Sequence, residues 1–252
     1  MKNILILDIE TSPNLAYVWR AYKENIGYNQ FVNHSTIMCW AAKWLTQDRV
    51  FYDTCKDKSE KEVVTNLCSL LDAADIVVAH NGDKFDIPVI RSRSVELGIL
   101  PFSPIRTIDT LRVASKLFKF PMNSLAFLSR YLGVTQKKEH EEFPGFELWN
   151  ECLKGNEKAW EVMRIYNTYD VLALEEVYLK LLPWMTEHPN VSSNSPDEIK
   201  CPRCGGEVIR RGFYESNVGK YQRYRCKDCG GWSRSRYTEN TFEERQKILT
   251  AT

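Results

Sequence analysis

The sequence predicts an α/β protein with a mixed β-sheet flanked by helices, followed by a small cysteine-rich module. Short apolar runs bounded by turn residues alternate with amphipathic helical segments, after an antiparallel pair of strands at the start. Residues 188–197 have the Pro, Asn and Ser content typical of a linker, and a Cys-x-x-Cys pair follows them. We therefore predict a large domain over 1–187, a linker over 188–199, the module over 200–236 and a tail over 237–252.

Apolar periodicity and capping residues define the predicted elements. Ser59 is the predicted N-cap of the first helix, Gly98 ends the second, and Asp109 caps the third. The stretch 15–28 is rich in aromatic residues and receives no assignment. Strands are predicted at 3–9, 35–45, 49–54, 75–79 and 105–108. Helices are predicted at 58–72, 87–97, from 123 onward with a break at 136–145, and at 156–182.

The charge distribution says more about partners than the composition does. The chain has 252 residues, of which 43% are hydrophobic, so it can bury a core and is not expected to be disordered. Its net charge is only +1, but residues 200–236 carry ten Lys and Arg against three acids, which leaves −6 for the rest. A compact basic module on a mildly acidic body predicts a polyanionic partner.

Neither a signal peptide nor a membrane-spanning run is recognisable in the sequence. The apolar run that follows Asn3 ends at an aspartate and is too short for a signal core. Four scattered cysteines follow no spacing pattern and are expected to be reduced core residues, namely Cys39, Cys55, Cys68 and Cys152. We expect a cytoplasmic-type protein (inside the host cell, if virus-encoded) that is not secreted and has no membrane partner.

Acidic residues in three separated runs predict a metal site. Asp8 and Glu10 stand two residues apart on a strand, so both side chains point to the same face. Asp86 follows the next apolar strand, and Tyr166 and Asp170 share one face of a helix. Carboxylates gathered from distant segments repel one another, and hard divalent cations with oxygen ligands offset that repulsion.

Each of these residues also has a simpler interpretation when taken singly. The first pair could be a strand-end turn with a solvent-facing charge, and Asp86 could cap the following helix. Tyr166 could be a core residue, whereas Asp170 inside a helix needs a partner. Several coincidences in the right order would then be required, which favours a single metal site.

The three runs resemble the exonuclease motifs of the DEDD superfamily of ribonuclease-H-like 3′–5′ exonucleases. They are similar to the branch with a tyrosine in the third motif, typified by proofreading domains of B-family DNA polymerases. Asp8-Ile9-Glu10 matches the first motif, Asn81 through Phe85-Asp86 the second, and Tyr166 through Asp170 the third. The similarity covers roughly residues 1–185, and the ordered set is much more specific than any single motif.

The resemblance implies a ribonuclease-H-like fold and two-metal hydrolysis of phosphodiester bonds. Asp8 would bridge two Mg²⁺ or Mn²⁺ ions. Glu10 and Asp170 would complete the shell of one ion, and Asp86 would lie near the other, partly through water. Tyr166, assisted by Glu10, would orient the attacking water, and the terminal nucleotide would leave a 3′ end as a 5′-monophosphate.

The resemblance also implies substrate contacts, with one departure from the family pattern. Thr11, Asn81 and Phe85 align with positions that hold the last nucleotides, although Phe85 suits packing equally well. Many polymerase-linked members have a lysine between the second and third motifs. The lysines at 137 and 138 fall in that interval without a convincing match. We interpret His80 as a structural loop residue.

Two Cys-x-x-Cys-Gly-Gly turns separated by 21 residues predict a zinc ribbon. That separation lies just above the usual range of about 15–20 residues, a small excess for a hairpin. One structural Zn²⁺ would be held by four thiolates, Cys201, Cys204, Cys226 and Cys229. Disulfides are the alternative, which a reducing compartment disfavours. No coordination position remains open for a catalytic zinc.

The hairpin between the two turns interleaves cations with aromatic residues. This combination suits phosphate contacts and base stacking on a single strand. The candidate contacts are Arg210, Arg211, Arg223 and Arg225, among Phe213, Tyr214, Tyr221, Tyr224 and Trp232. The alternatives are a solvated hairpin with a minimal aromatic core, and docking to a replication, repair or recombination protein.

Taken together, the motifs predict a metal-dependent 3′–5′ exonuclease acting on single-stranded DNA. DNA is favoured only because the tyrosine branch is mostly DNA-directed, and RNA is the alternative because no determinant against a 2′-hydroxyl is legible. A non-catalytic nucleic-acid or replisome adaptor is a second hypothesis, which the intact carboxylates disfavour. Endonucleolytic or flap-specific cutting is a third.

Overall fold

The computed structural model describes residues 2–135, 142–192 and 198–249. The chain forms two compact units, Asn3–Tyr178 and a second that begins at Leu179. The predicted domain boundaries, with their division at 187, stay a prediction.

The first unit contains seven strands and six α-helices within the described residues, besides a short 3-10 helix at Tyr28–Gln30. Its strands are β1 (Ile4–Thr11), β2 (Leu15–Ala16), β3 (Phe31–Asn33), β4 (Ile37–Trp44), β5 (Val50–Thr54), β6 (Ile76–Ala79) and β7 (Arg106–Asp109). Its helices are α1 (Glu60–Asp72), α2 (Asp86–Glu96), α3 (Thr110–Leu117), α4 (Leu125–Tyr131), α5 (Glu147–Leu153) and α6 (Glu157–Leu181), whose last residues belong to the second unit.

Five of these strands form one mixed sheet in the order β5-β4-β1-β6-β7. Strand β4 runs antiparallel to β1 and β5, whereas β6 runs parallel to β1 and β7. Helices pack on the sheet, because parallel strands need crossover connections that cover its faces. The predicted α/β class with a mixed sheet is confirmed.

Side chains of β1 alternate between the two faces of the sheet, and this alternation places the acidic residues. Leu5, Leu7 and Ile9 belong to the core built with α1 and α2. Because strand side chains alternate, Asp8 and Glu10 face the opposite side. That side carries a second core, formed with residues of β4, α5 and α6.

Local signals predicted several element ends correctly. The Ser59 side chain accepts a hydrogen bond from the Glu62 N–H in a reciprocal capping box at the start of α1. Gly98 has a φ of 66°, a left-handed conformation that glycine adopts readily at the end of α2. Strand β1 extends two residues beyond the predicted 3–9, because its pairing with β4 continues to Thr11 opposite Ile37.

The four scattered cysteines are free thiols of the first unit. Cys39, Cys68 and Cys152 are buried and Cys55 is half-buried, as expected for reduced core residues. Burial raises the pKa of Cys55 and of Cys152 to about 12. Burial, together with the charge of nearby Glu10, raises the pKa of Cys39 well above its usual value.

The second unit is built around a three-stranded antiparallel sheet in the order β10-β9-β8. The strands are β8 (Val208–Ser216), β9 (Gly219–Cys226) and β10 (Trp232–Arg234), followed by the short helix α7 (Phe242–Arg245). Within the predicted linker, Val191 is buried and its N–H donates to the Pro202 carbonyl at 2.8 Å. Residues 193–197 of that linker and 250–252 of the predicted tail lie outside the described residues.

Across the three described ranges, no helix has both the length and the apolar character needed to cross a bilayer.

Candidate active site

Three carboxylates converge at the end of β1. One oxygen from each of Asp8, Glu10 and Asp170 lies within 4.8 Å of the other two. Strand β1 supplies the first two, and α6 supplies Asp170, of which only 3% is exposed. Three anionic oxygens at this spacing are repulsive in isolation and match the ligands that Mg²⁺ and Mn²⁺ prefer. The donor set therefore fits a hard divalent cation.

Two neutral donors fix the orientation of these carboxylates. The buried Asn167 side chain donates from Nδ2 to Asp8 Oδ2 at 2.6 Å and lies 3.4 Å from the Asp8 carbonyl. Trp149 Nε1 donates to Glu10 Oε2 at 3.1 Å. Such outer contacts fix the geometry of metal-ligating groups.

The roles of Asn167 and Trp149 were not predicted from the sequence. Asn167 stands three residues before Asp170 on a helical face, so its spacing was a usable signal. Trp149 lies on α5, far along the chain from Glu10, and no local pattern links the two residues.

Tyr166 lies on α6 one turn before Asp170, as the i, i+4 spacing predicts. It is 9% exposed, and its ring meets the Trp149 ring edge-on, with centroids 5.8 Å apart. Trp149 therefore contacts both Glu10 and Tyr166, which links the first and third motifs.

Asp86 lies against the backbone between Asp8 and Glu10. It is the first residue of α2, and its Oδ1 accepts a hydrogen bond from the Ile9 N–H at 3.2 Å. Phe85, not Asp86, is the N-cap residue. Among the described residues, the group of three converging oxygens does not include Asp86.

The Asp86 carboxyl is almost fully buried, at 2% exposure. Burial raises its pKa to about 7, and the charge of Asp109 adds to this, while backbone N–H groups including that of Ile9 act in the opposite direction.

The turn between β6 and α2 brings Asp86 to β1. Asn81 adopts a φ of 68°, a left-handed conformation that asparagine tolerates better than most residues. A Cβ at Gly82 would lie 2.4 Å from the Ala79 Cβ, so only glycine fits this close approach. The Asn-Gly pair in the second motif therefore has a structural role.

Asp109, the last residue of β7, stabilises this turn through hydrogen bonds. Its carboxylate accepts hydrogen bonds from the N–H groups of Asn81 at 2.9 Å and Asp83 at 3.4 Å. It also accepts from the N–H groups of Leu111 and Arg112 at the start of α3. Asp109 is thus a helix cap, as predicted, and additionally anchors the loop of the second motif.

The remaining motif residues lie beside this turn. His80 Nδ1 is 2.9 Å from Thr110 Oγ1, which agrees with a structural role. Thr11 is half-buried at an irregularity of β1, Asn81 is half-buried, and Phe85 is 39% exposed. The lysines at 137 and 138 lie outside the described residues.

In the second unit four thiols converge. The sulfur atoms lie within 4.8 Å of one another, and they belong to Cys201, Cys204, Cys226 and Cys229. The Cys201–Cys229 and Cys204–Cys226 sulfurs are 3.7 and 3.5 Å apart, and all four thiols are free. Four converging thiols on two turns fit a tetrahedral structural Zn²⁺, as a zinc ribbon requires.

The glycines that follow each cysteine pair have distinct roles. Gly205 and Gly230 both have a φ of 75°, a backbone conformation that residues with a side chain rarely adopt. A Cβ at Gly206 would lie 2.0 Å from an Asp228 carboxylate oxygen. The Gly231 N–H donates to the Cys229 sulfur at 3.4 Å.

The predicted nucleic-acid contacts of this unit are exposed. The Arg223 and Arg225 guanidinium carbons lie 4.7 and 5.9 Å from the centre of the Trp232 ring. Arg223 Nε also donates to the Arg211 carbonyl at 3.0 Å, and Arg210 and Arg211 are exposed on β8. Cations stacked on an accessible aromatic ring are typical of single-strand binding surfaces.

A mixed sheet with carboxylates gathered at the end of its first strand defines the class of ribonuclease-H-like nucleases. The chain belongs to the RNase_H superfamily, whose family model RNase_H_2 matches residues 5–182. Its structure is similar to that of the family B DNA polymerase from the hyperthermophilic archaeon Pyrobaculum calidifontis, with a TM-score of 0.51 and 13% identity.

That match covers 73% of this chain but only 25% of the polymerase chain, and at this identity it shows the fold alone. No curated protein matches the sequence. The superfamily and the fold support a nuclease, that is, a hydrolase acting on nucleic acid.

Proposed function

We propose that the protein is a metal-dependent 3′–5′ exonuclease that hydrolyses single-stranded DNA and releases nucleoside 5′-monophosphates. The convergence of the Asp8, Glu10 and Asp170 oxygens within 4.8 Å carries this proposal. The position of Tyr166 one helical turn before Asp170 supports the tyrosine-type branch of the DEDD exonucleases.

Asp8, Glu10 and Asp170 would hold one divalent cation, and Asp86 with Asp8 would hold a second. Two bound Mg²⁺ or Mn²⁺ ions would supply a more acidic water and charge stabilisation at the phosphate.

The chain's own groups supply orientation and proton transfer. Asn167 and Trp149 fix the carboxylates of Asp8 and Glu10 through their hydrogen bonds. Tyr166 would orient the attacking water, and Glu10 would accept its proton. Thr11, Asn81 and Phe85 would contact the last nucleotides at the 3′ end.

Digestion of end-labelled single strands tests the proposal. With Mg²⁺, we expect immediate release of labelled mononucleotide from a 3′-labelled strand and none from a 5′-labelled strand at early times. Asp8→Ala should abolish the release, because it removes an anionic ligand. The charge-matched control Asp48→Ala changes an exposed turn residue and should retain activity.

Other outcomes identify the competing functions. Absence of metal-dependent cleavage would favour the adaptor hypothesis, and cleavage of a circular single strand would reveal endonuclease activity. RNA and DNA assayed side by side decide the substrate.

We place the protein in a reducing, cytoplasmic-type compartment, because the four core thiols of the first unit are free.

The second unit would hold a structural Zn²⁺ and contact the nucleic-acid backbone through Arg210, Arg211, Arg223 and Arg225. Each phosphate contact on a single strand contributes about 0.7 to the slope of log binding constant against log salt concentration. Replacing Arg223 and Arg225 together by Gln should therefore reduce the magnitude of that slope by about 1.4. The control pair Lys154→Gln with Arg164→Gln removes equal charge from exposed positions of the first unit, one just after α5 and one on α6. An unchanged slope in the ribbon variant would favour protein docking.

A further inference from the structure

The segment 13–34, which connects β1 to β4, exposes an unusual number of large aromatic side chains. We call it the aromatic arm. The exposed fractions are 78% for Tyr17, 94% for Trp19, 76% for Tyr22 and 89% for Tyr28. Aromatic side chains are normally buried at least in part, and a concentration of exposed ones marks an interaction site.

The arm is internally organised. Strands β2 and β3 pair, and the Tyr17 N–H donates to the Gln30 carbonyl at 2.9 Å. The Glu24 carboxylate accepts hydrogen bonds from the N–H groups of Trp19 at 3.2 Å and Arg20 at 2.6 Å. Polar contacts therefore hold the backbone while the aromatic rings stay accessible, which preorganises a binding surface.

Cations accompany the aromatic residues on this surface. Arg20 and Lys23 are exposed, and Lys23 Nζ lies 5.3 Å from the centre of the Tyr22 ring. Lys23 has a φ of 54°, a conformation uncommon for a residue with a side chain. Rings that stack on any base, together with cations that contact phosphates, are the pattern of single-strand binding.

The arm also lies close along the chain to the catalytic strand. Strand β1 carries Asp8 and Glu10 and ends at Thr11, eight residues before Trp19. Eight residues span at most about 28 Å. A stacked strand advances about 3.4 Å for each nucleotide. Trp19 therefore lies no farther from the end of β1 than the length of about eight nucleotides.

We infer that the aromatic arm is a stacking platform that binds the single-stranded part of a nucleic-acid substrate, a few nucleotides from the 3′ end held at the carboxylates. The occupant is a single strand because the arm pairs aromatic faces with cations and follows directly from the strand that carries the nuclease site. This inference rests on the proposed nuclease function.

Substrate length separates the role of the arm from catalysis. Trp19→Ala and Tyr22→Ala should each raise KM about tenfold for a strand of about 20 nucleotides, because one stacking contact is lost. Neither should change kcat. A dinucleotide would occupy only the positions that Thr11, Asn81 and Phe85 would contact, so the arm variants should cleave it with the kcat/KM of the wild type.

Two matched substitutions at position 19 distinguish stacking from general apolar contact. Trp19→Phe keeps an aromatic face and should retain most of the affinity for the long strand. Trp19→Leu keeps apolar area without a π face and should lose affinity as Trp19→Ala does. Leu100→Ala, at a residue 84% exposed outside the arm, controls for loss of an exposed apolar side chain.

Each result either supports or overturns the inference. An unchanged KM for the long strand in Trp19→Ala and Tyr22→Ala would overturn it, as would wild-type affinity in Trp19→Leu, which would show that apolar contact without a π face is sufficient. Loss of dinucleotide cleavage in the arm variants would also overturn it, because the arm would then support the fold of the site.

The nuclease proposal fails separately, if the wild type cleaves neither substrate with Mg²⁺ or Mn²⁺. In that case fluorescence anisotropy of a labelled strand of about 20 nucleotides gives the dissociation constants of the same variants. An increase of about tenfold for Trp19→Ala would still support the arm, and unchanged constants would overturn it.

Discussion

At the scale of single residues, the carboxylates of the site depend on donors that are not themselves ligands. Asn167 contacts Asp8 and Trp149 contacts Glu10, so each motif-one carboxylate has one oxygen already oriented. A carboxylate free to rotate would have to lose that freedom when it binds a cation. We therefore expect the two donors to affect the affinity for metal as well as the positions of the oxygens.

We predict that Asn167→Ala weakens binding of Mn²⁺ by about tenfold, because Asp8 loses the hydrogen bond that orients it. Isothermal titration of the protein with MnCl₂ measures this without requiring turnover.

Arg164→Ala is the control on the same helix, because that residue is exposed and pairs with Glu161. It should leave Mn²⁺ affinity unchanged. Wild-type affinity in Asn167→Ala would show that the hydrogen bond does not prepare the site for metal.

At the scale of elements, the turn from β6 into α2 decides where Asp86 lies. The turn combines the left-handed Asn81, the side-chain-free Gly82 and the backbone hydrogen bonds to Asp109. Since α2 begins at Asp86, a shift of this turn moves that carboxylate relative to β1.

Gly82→Ala should reduce both stability and activity. The new methyl group would approach the Ala79 Cβ to 2.4 Å, so the turn must move, at a cost of about 1–3 kcal/mol. Urea unfolding measures the stability, and the digestion assay measures the activity.

The double substitution Gly82→Ala with Ala79→Gly tests the cause, because it removes the methyl group with which the new one collides. We expect it to recover part of both losses relative to Gly82→Ala. No recovery would mean that the contact with Ala79 does not explain the requirement for glycine.

Features that depend on residues close together in the chain could be predicted from the sequence. The cap at Ser59, the stop at Gly98 and the cap at Asp109 depend on residues within a few positions of each other. The order of the acidic runs predicted which carboxylates would approach β1. The i, i+4 spacing placed Tyr166 and Asp170 on one face of α6.

Features that depend on distant pairs could not be predicted in this way. The Trp149–Glu10 hydrogen bond joins residues 139 positions apart, and Asp109, at the end of β7, accepts a hydrogen bond from Asn81 in the loop that follows the neighbouring strand β6. No secondary structure was predicted for the aromatic arm, because its apolar residues follow neither a helical nor a strand period. Its order comes from turns around Glu24 and Gln30.

At the scale of the whole molecule, the charge is divided unevenly along the chain. Residues 200–236 carry +7 and the remainder carries −6, a balance that the net charge of +1 conceals. The converging carboxylates belong to the first unit, and the converging thiols belong to the second. The residues of each group all come from one unit, so we expect each unit to respond separately to substitution within its own group.

We predict that Cys226→Ser removes zinc from the full chain and reduces hydrogen-exchange protection in β8, β9 and β10. A structural zinc site contributes folding free energy to its own module, so β1 and β4 should keep their protection. Zinc content by mass spectrometry and hydrogen exchange by peptide mapping measure the two effects.

The matched control is Cys55→Ser, which changes a half-buried thiol of the first unit. It should leave the zinc content unchanged. Zinc content equal to that of the wild type in Cys226→Ser would mean that the ligands are assigned wrongly.

The protonated state of the core thiols has a practical consequence for following the substrate. Burial raises the pKa of all four thiols, so they stay poorly reactive towards maleimides at neutral pH; these are Cys39, Cys55, Cys68 and Cys152. If the ribbon thiolates retain their zinc, a cysteine introduced in place of Asn25, an exposed and non-aromatic residue of the arm, becomes the preferred labelling position. A dye placed there would report the arrival of a quencher-tagged strand in real time, without removal of any native cysteine.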